Sequence, residues 1–297
     1  MEAVKPVDAA RDKLTSSLRT LLSGDKFGVA PDLHHGDPGL CGPGSTSWEV
    51  LADPSAMVGG IRSLLLQSCH PSAIQGVEDH SGFEADPLGR LHRTVAYVTV
   101  STFGAVPEAT LMAERVKKAH TNVQGTLPDG TTYDANDPHL LLWVHIALVD
   151  SLLQTYKTFG RRPLSRAECD AFVDEQSRVL ALLGVSESPR SQSELDQCLR
   201  EFQKELATTP AARRGVAFIK DPPLPRAYTP FYTALFNGAV ETLSTEHREL
   251  LEIAPVTPAA RAVRVGAATA ITATFRALLH KPESLTIAQK RVNRSVD

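Results

Sequence analysis

Asp137-Pro138-His139-Leu140-Leu141-Leu142-Trp143-Val144-His145-Ile146-Ala147-Leu148-Val149-Asp150-Ser151-Leu152-Leu153, continuing to Gly160, carries both a helix start and a helix stop. The Asp137 carboxylate can accept from the first free N–H groups of a helix. Pro138 stands where no N–H is needed, and Gly160 can end the run. Between them Leu140, Leu141, Val144, Ala147, Leu148 and Leu152 recur at helical spacing. With Trp143 and His145 included, the predicted helix is apolar nearly all round, so it is central and the rest of the chain packs about it.

Outward from this helix the same start signals recur. Asp-Pro pairs stand at 53–54 and 86–87, and after Asp86 the apolar residues run to Phe103 and stop at Gly104. Ser165 with Glu168, and Ser191 with Glu194, have the capping-box spacing ahead of apolar runs. His70-Pro71 ends or kinks a helix that carries Leu64, Leu65 and Leu66. Gly76 to Ser81 reads as a loop, and Gly125 as the close of a helix from about Pro107. Asp129-Gly130 makes a tight turn before Tyr133 that allows a short hairpin. Asp221 to Pro230, four prolines among ten residues, is an extended connector. Gly28 to Ser47 is irregular, and its glycines at 39–44, without the lysine of a phosphate loop, read as a surface turn before a helix. No internal repeat is present. The expected architecture is all-α, a single large helical domain.

At 297 residues, 42% hydrophobic and 22% charged, the chain has the composition of a globular protein with ample length for a core. Its 31 basic and 34 acidic residues leave a formal charge of -3, which argues against a nucleic-acid partner. Cys41, Cys69, Cys169 and Cys198 form no Cys-x-x-Cys pair, so free thiols are expected and covalent haem attachment is not. Residues 1–20 have neither the apolar run nor the cleavage site of a secretory signal, and a cytoplasmic location is expected. The charge-free stretch Val265 to Phe275 is too short to cross a bilayer and reads as a buried core helix; no transmembrane segment is expected.

Ten histidines invite a metal reading, yet no two are four apart and no Glu precedes a His by three. Zincin and carboxylate-bridged di-iron patterns are therefore absent, and a non-haem hydrolase built from Glu78, Asp79, His80 and His70 lacks chelating spacing. A nucleophile elbow is absent too. Several individual features remain. His120 shares a helix face with Ala113, Val116 and Val123, as either a hydrogen-bonded core residue or an axial ligand facing an apolar cavity. Arg90, Arg93 and Thr94 occupy the first turns after Asp86-Pro87, with Tyr97 one turn beyond Arg93. They form either a solvated basic helix end or a site where an external anion offsets the macrodipole. Glu78 and His80 are a base with its partner or a cap; His70 is a helix cap before it is a ligand; Trp143 and His145 are core by default.

In chain order, Gly42-Pro43-Gly44-Ser45 with Trp48, Gly59-Gly60 through Leu64-Leu65-Leu66-Gln67 to His70-Pro71, and Gly76-Val77-Glu78-Asp79-His80-Ser81 are followed by Asp86-Pro87, Arg90-Leu91, Arg93-Thr94 and Phe103-Gly104. Arg115-Val116, His120, Val123-Gln124-Gly125, Tyr133-Asp134-Ala135, Asp137-Pro138 and Leu142-Trp143-Val144-His145 complete the set. Together these resemble the oxygenase family typified by fungal MpaB and bacterial latex clearing protein (rubber oxygenase), over roughly Phe27 to Leu250.

The resemblance implies a globin-reminiscent fold that binds haem b without covalent attachment and activates dioxygen. Residues 1–27 are then an N-terminal helix, 28–250 the haem domain and 251–297 C-terminal helices packed on it. It implies His120 as the proximal iron ligand, with Arg90 and Thr94 lining the haem and Tyr97, Trp143 and His145 completing the pocket. Arg93 falls where the rubber oxygenases carry a lysine. Glu78 lies near their catalytic glutamate at a different spacing, and His70 and His80 belong to the wider bacterial branch. The catalytic set expected is Arg90, Arg93, Thr94, Glu78 and His80, with Glu78 or His80 moving protons. Without an export signal, polyisoprene is an unsuitable substrate, so the expected partners are a small, largely apolar intracellular metabolite and O₂ or peroxide. The rival reading is a haem- or apolar-ligand-binding protein without turnover.

Overall fold

The computed structural model describes residues 33–81 and 87–293, together with residues 12, 15, 16, 29 and 30. Among them the protein is all-α, a single domain of thirteen helices and one two-stranded antiparallel sheet. In order these are α1 (Thr46–Ala52), α2 (Ser55–Gln67), α3 (Pro71–Ser81), α4 (Pro87–Phe103), α5 (Val106–His120), β1 (Gln124–Thr126), β2 (Thr132–Asp134), α6 (Pro138–Phe159), α7 (Arg166–Leu182), α8 (Gln192–Phe202), α9 (Pro210–Lys220), α10 (Thr229–Glu241), α11 (Thr245–Leu250), α12 (Pro258–Leu278) and α13 (Glu283–Asn293). The N-terminal helix expected over 1–27 and the Asp86 start lie outside the described residues, except that Asp12 accepts from His280 Nε2 at 2.8 Å.

The caps form where the side chains call for them. Asp137 accepts from the His139 N–H at 2.7 Å. Glu168 N–H reaches Ser165 Oγ at 3.3 Å while the Glu168 carboxylate returns to Ser165 N–H at 2.7 Å. Asp53 accepts from Ser55 N–H at 2.9 Å, so the chain turns from α1 directly into α2. α6 is the hub: α2 lies along it, α7 and α8 flank it, α10 covers α2, and α12 covers α10. Trp143, Tyr156, Phe172, Leu65, Leu66, Ile146 and Leu153 are wholly buried there, each aliphatic side chain contributing about 1.5–3 kcal/mol on transfer from water. Gly59 makes the α2–α6 approach possible, since a Cβ there would stand 2.8 Å from Thr155 Oγ1 and 3.0 Å from Leu152 Cδ2.

A smaller core joins segments from opposite ends of the chain. Val29, Trp48, Phe103, Leu285 and Ala288 pack together, Trp48 Nε1 donates to Thr102 O at 2.9 Å, and buried Arg291 of α13 donates to the carbonyls of Phe103 (2.9 Å) and Asp37 (2.8 Å). This seats α13 on the C-terminal end of α4.

Three local expectations are corrected. Gly76 to Ser81 is the second half of α3, because Pro71 starts a helix and nothing breaks it before Ser81. Gly125 does not close a helix: α5 stops at His120, and Gly125 lies in β1 opposite Tyr133. Val265 to Phe275 is half of a helix whose buried residues are only Ala268, Thr272 and Phe275. Small residues make that stretch charge-free without making it core. Among the described residues no single helix is long and apolar enough to cross a membrane; α12 and α13 reach that length only as a pair bent by 48°.

Candidate functional site

The hairpin and the ends of α3 and α5 converge beside the start of α6. Gly125 leaves room for the Tyr133 ring, whose hydroxyl would otherwise meet a Cβ at 2.5 Å. Tyr133 donates its phenol proton to Asp79 Oδ2 at 2.6 Å, and His80 Nε2 is 3.1 Å from that phenol oxygen and 3.0 Å from Gln124 O. Gln75 donates to the other Asp79 oxygen at 2.8 Å. The Tyr133 bond, ahead of the Gln75 bond, holds the Asp79 carboxyl below its ordinary range, while burial and Asp79 raise the phenol. Glu78, one residue earlier on the helix, points elsewhere: its carboxylate is clasped by Arg214 of α9, Nε to one oxygen and Nη2 to the other at 2.8 Å.

His120 ends α5, half-buried, its carbonyl accepting from Val123 N–H at 2.9 Å. Its Nδ1 is buried and has no hydrogen-bond partner among the described residues. Burial lowers its pKa against the opposing effects of a ring hydrogen bond to the Ala135 backbone and the charge of Asp134, so the imidazole is neutral at pH 7. On the same helix Ala113 is buried and Val116 half-buried, but Val123, expected on that face, lies beyond the helix end at His120.

Arg90 lies near the start of α4, and its guanidinium is pulled down to about 10, mainly by burial and secondarily by neighbouring Arg93. Thr94, exposed, spends its hydroxyl proton on the Arg90 carbonyl at 3.1 Å. Arg93 is exposed, and half-buried Tyr97 sits beside Ser101, its phenol raised by burial. Gly104 and Ala105 alone separate α4 from α5. Arg90 and His120 each stand roughly 20 Å along their own helices from that corner.

Trp143 and His145 are placed apart from these groups. Trp143, wholly buried, packs against Phe202 (5.3 Å between ring centres) and His70 (5.8 Å), and its Nε1 has no partner among the described residues. His145 is buried beside the Gln176 backbone of α7, which partly offsets a burial-driven fall in its pKa to about 4. His70 is also interior, and its Nε2 is 3.5 Å from Glu205 Oε2. Glu205 accepts from His139 Nε2 at 2.9 Å. Sequence reasoning misses Arg214, Glu205 and His139, which become partners only through tertiary packing, and it marks Tyr133 as the end of a turn and part of a motif without giving it a partner. Asp79 and His80 meet at the Tyr133 phenol while Glu78 and His70 face partners of their own, and no group of three or more His, Cys, Asp or Glu among the described residues is arranged to hold a metal ion.

The sequence pattern described as "ER-bound oxygenase mpaB/B'/Rubber oxygenase, catalytic domain" matches residues 48–277. Relatives include Uncharacterized protein Mb2261 of Mycobacterium bovis and Uncharacterized protein Rv2237 of Mycobacterium tuberculosis. Each is 27% identical over 172 residues, 55% of this chain and 67% of the relative. No solved structure matches the chain significantly. With the pattern extending over most of its length, and over every helix from α2 to α11, the chain belongs to the MpaB/rubber oxygenase catalytic-domain family, a family of oxygenases.

Proposed function

We propose that this member of the family is a haem b-dependent oxygenase acting on a small, largely apolar metabolite with O₂ or peroxide. The observation that carries the reading is His120, a neutral imidazole at a helix end whose buried nitrogen has no partner among the described residues. A nitrogen left in that state costs about 1–3 kcal/mol unless something binds it, and a haem iron is a suitable acceptor of its lone pair. Arg90 supports the same conclusion. Its guanidinium is desolvated with Arg93, another cation, as its electrostatic neighbour, and a haem propionate supplies a counter-charge. These residues fit the group, with His120 holding the iron and Arg90 a propionate.

Haem, when bound, supplies the electron chemistry that activates the oxidant. Arg93 cannot offer a lone pair to a metal as a lysine could, so its role is to donate hydrogen bonds to an anionic group. Tyr97 supplies an apolar ring edge and a phenol that stays protonated. Both oxygens of Glu78 are taken by Arg214, which leaves proton handling to exposed His80. From His80 the phenol of Tyr133 leads on to the Asp79 carboxylate. Trp143 and His145 act by packing α6, on which the hairpin end rests.

The test is protein produced with haem supply. A Soret band, stoichiometric acid-extractable haem and loss of most of that haem in a folded His120→Ala variant are expected. A folded His120→Ala protein that keeps a normal histidine-ligated spectrum would transfer the ligand to another residue. Haem-loaded protein that consumes neither O₂ nor peroxide with any apolar substrate would leave the binding protein without turnover.

A further inference from the structure

Acceptors alone place the protons at the hairpin. His80 Nε2 lies 3.0 Å from Gln124 O and 3.1 Å from the Tyr133 phenol oxygen. A peptide carbonyl can only accept, so Nε2 carries a proton and donates it. Tyr133 then finds no lone pair on His80, and its own proton goes to Asp79 Oδ2 at 2.6 Å. Each assignment requires the other.

His80 is thereby fixed at one nitrogen and unspent at the other. The residue is exposed, and its Nδ1 makes no hydrogen bond among the described residues. With the proton on Nε2, the lone pair of the neutral ring is on Nδ1, across the ring from the hairpin contacts.

Behind the ring the support is rigid. Tyr133 is 6% exposed, and glycines admit it: a Cβ on Gly76 would stand 3.4 Å from its ring and from Val123. Gln75 donates to the second Asp79 oxygen at 2.8 Å. The Asp79 pKa is lowered first by the Tyr133 bond and then by the Gln75 bond and the charge of His80. A staple between α3 and the hairpin needs only the Gln124 carbonyl. A buried phenol with a carboxylate behind it also sets negative charge on the Nε2 side of the ring, where it favours the imidazolium.

We propose that His80 is the proton acceptor of this site and accepts through Nδ1, with Tyr133 and Asp79 as positioning residues that hold Nε2–H toward the hairpin. This rests on the oxygenase reading of the site and adds which nitrogen is presented and what aims it. In the step, an O–H or N–H bond of the bound substrate breaks, its electron pair stays on the substrate, and the proton joins the Nδ1 lone pair. Carboxymethylation of the full chain by iodoacetate at neutral pH reads the nitrogen without haem. An unanchored imidazole is alkylated mainly at the less hindered Nε2, so exposed His34 and His35 should give that product. His80 should give the Nδ1 product in at least fivefold excess, and Tyr133→Phe should lower that ratio at least twofold. In haem-loaded protein, His80→Gln should keep the Soret band and lose at least tenfold in the rate of O₂ or peroxide consumption. Mainly Nε2 product at His80, an unchanged ratio in Tyr133→Phe, or a wild-type rate in His80→Gln would each overturn the proposal. Absence of a Soret band would count against the haem reading, and the alkylation ratio, read on unloaded protein, would still decide the nitrogen.

Discussion

Tyr133 ties three elements with one oxygen: it donates to Asp79 on α3, stands within hydrogen-bond reach of His80, and presses its ring onto Gly125 across the hairpin. Tyr133→Phe keeps the ring and removes the hydroxyl, and should cost about 1 kcal/mol at neutral pH by urea unfolding. The sign with pH follows from Asp79. Its carboxyl is lowered by the Tyr133 bond, so the stabilisation is present above the ordinary carboxylate range and is lost as pH falls through the folded value. The gap between wild type and Tyr133→Phe should therefore narrow in acid; a gap that stays constant with pH would show that the hydroxyl's contribution does not depend on the Asp79 carboxylate. His145 works in the opposite setting. Its folded pKa is depressed to about 4 by burial, so the unfolded chain takes up a proton first as pH falls below about 6.5. Stability should drop by up to about 3 kcal/mol between those pH values. A His145→Gln variant should have a flatter acid limb, measured as Tm against pH.

At the scale of elements, the α2–α6 seam is set by Gly59. A methyl there meets Thr155 Oγ1 and Leu152 rather than space, and the two helices cannot separate without opening the central core. Gly59→Ala should destabilise by about 1–3 kcal/mol despite the better helix propensity of alanine. Pairing it with Thr155→Ala should recover part of that loss, a non-additivity that denaturant unfolding of the single and double variants would reveal. Caps are a smaller matter: Asp137→Ala should cost about 1 kcal/mol. Asp137, Ser165 and Ser191 are legible as caps because an N-cap is a local event, completed within three residues of itself. The Gly76–Ser81 segment is not, because a glycine inside a helix and a glycine in a loop look alike until Tyr133 and Val123 are found packed against Gly76.

At the scale of the molecule, the Arg62–Asp150 pair is a charge couple placed in the core between its two central helices. Asp150→Asn or Arg62→Met alone strands a buried charge and should cost about 3–5 kcal/mol, whereas the two changes together should cost distinctly less than their sum. A fully additive double variant, measured by urea unfolding, would mean that the two side chains stabilise independently. Two levels of the structure part company here. The helix starts at Asp137, Ser165 and Ser191 and the central place of the Asp137–Gly160 helix were determined by the sequence alone, since each rests on neighbours three or four residues apart. Only the tertiary structure decided that Glu78 is spent on Arg214, 136 residues away. The same holds for Trp143 packing on Phe202 and for Glu241 gathering arginines from α11 and α12 over a cavity. A helix's periodicity says which residues share a face, but a charged or aromatic side chain acquires its role from whatever the fold sets opposite that face, and that partner can lie anywhere in the chain.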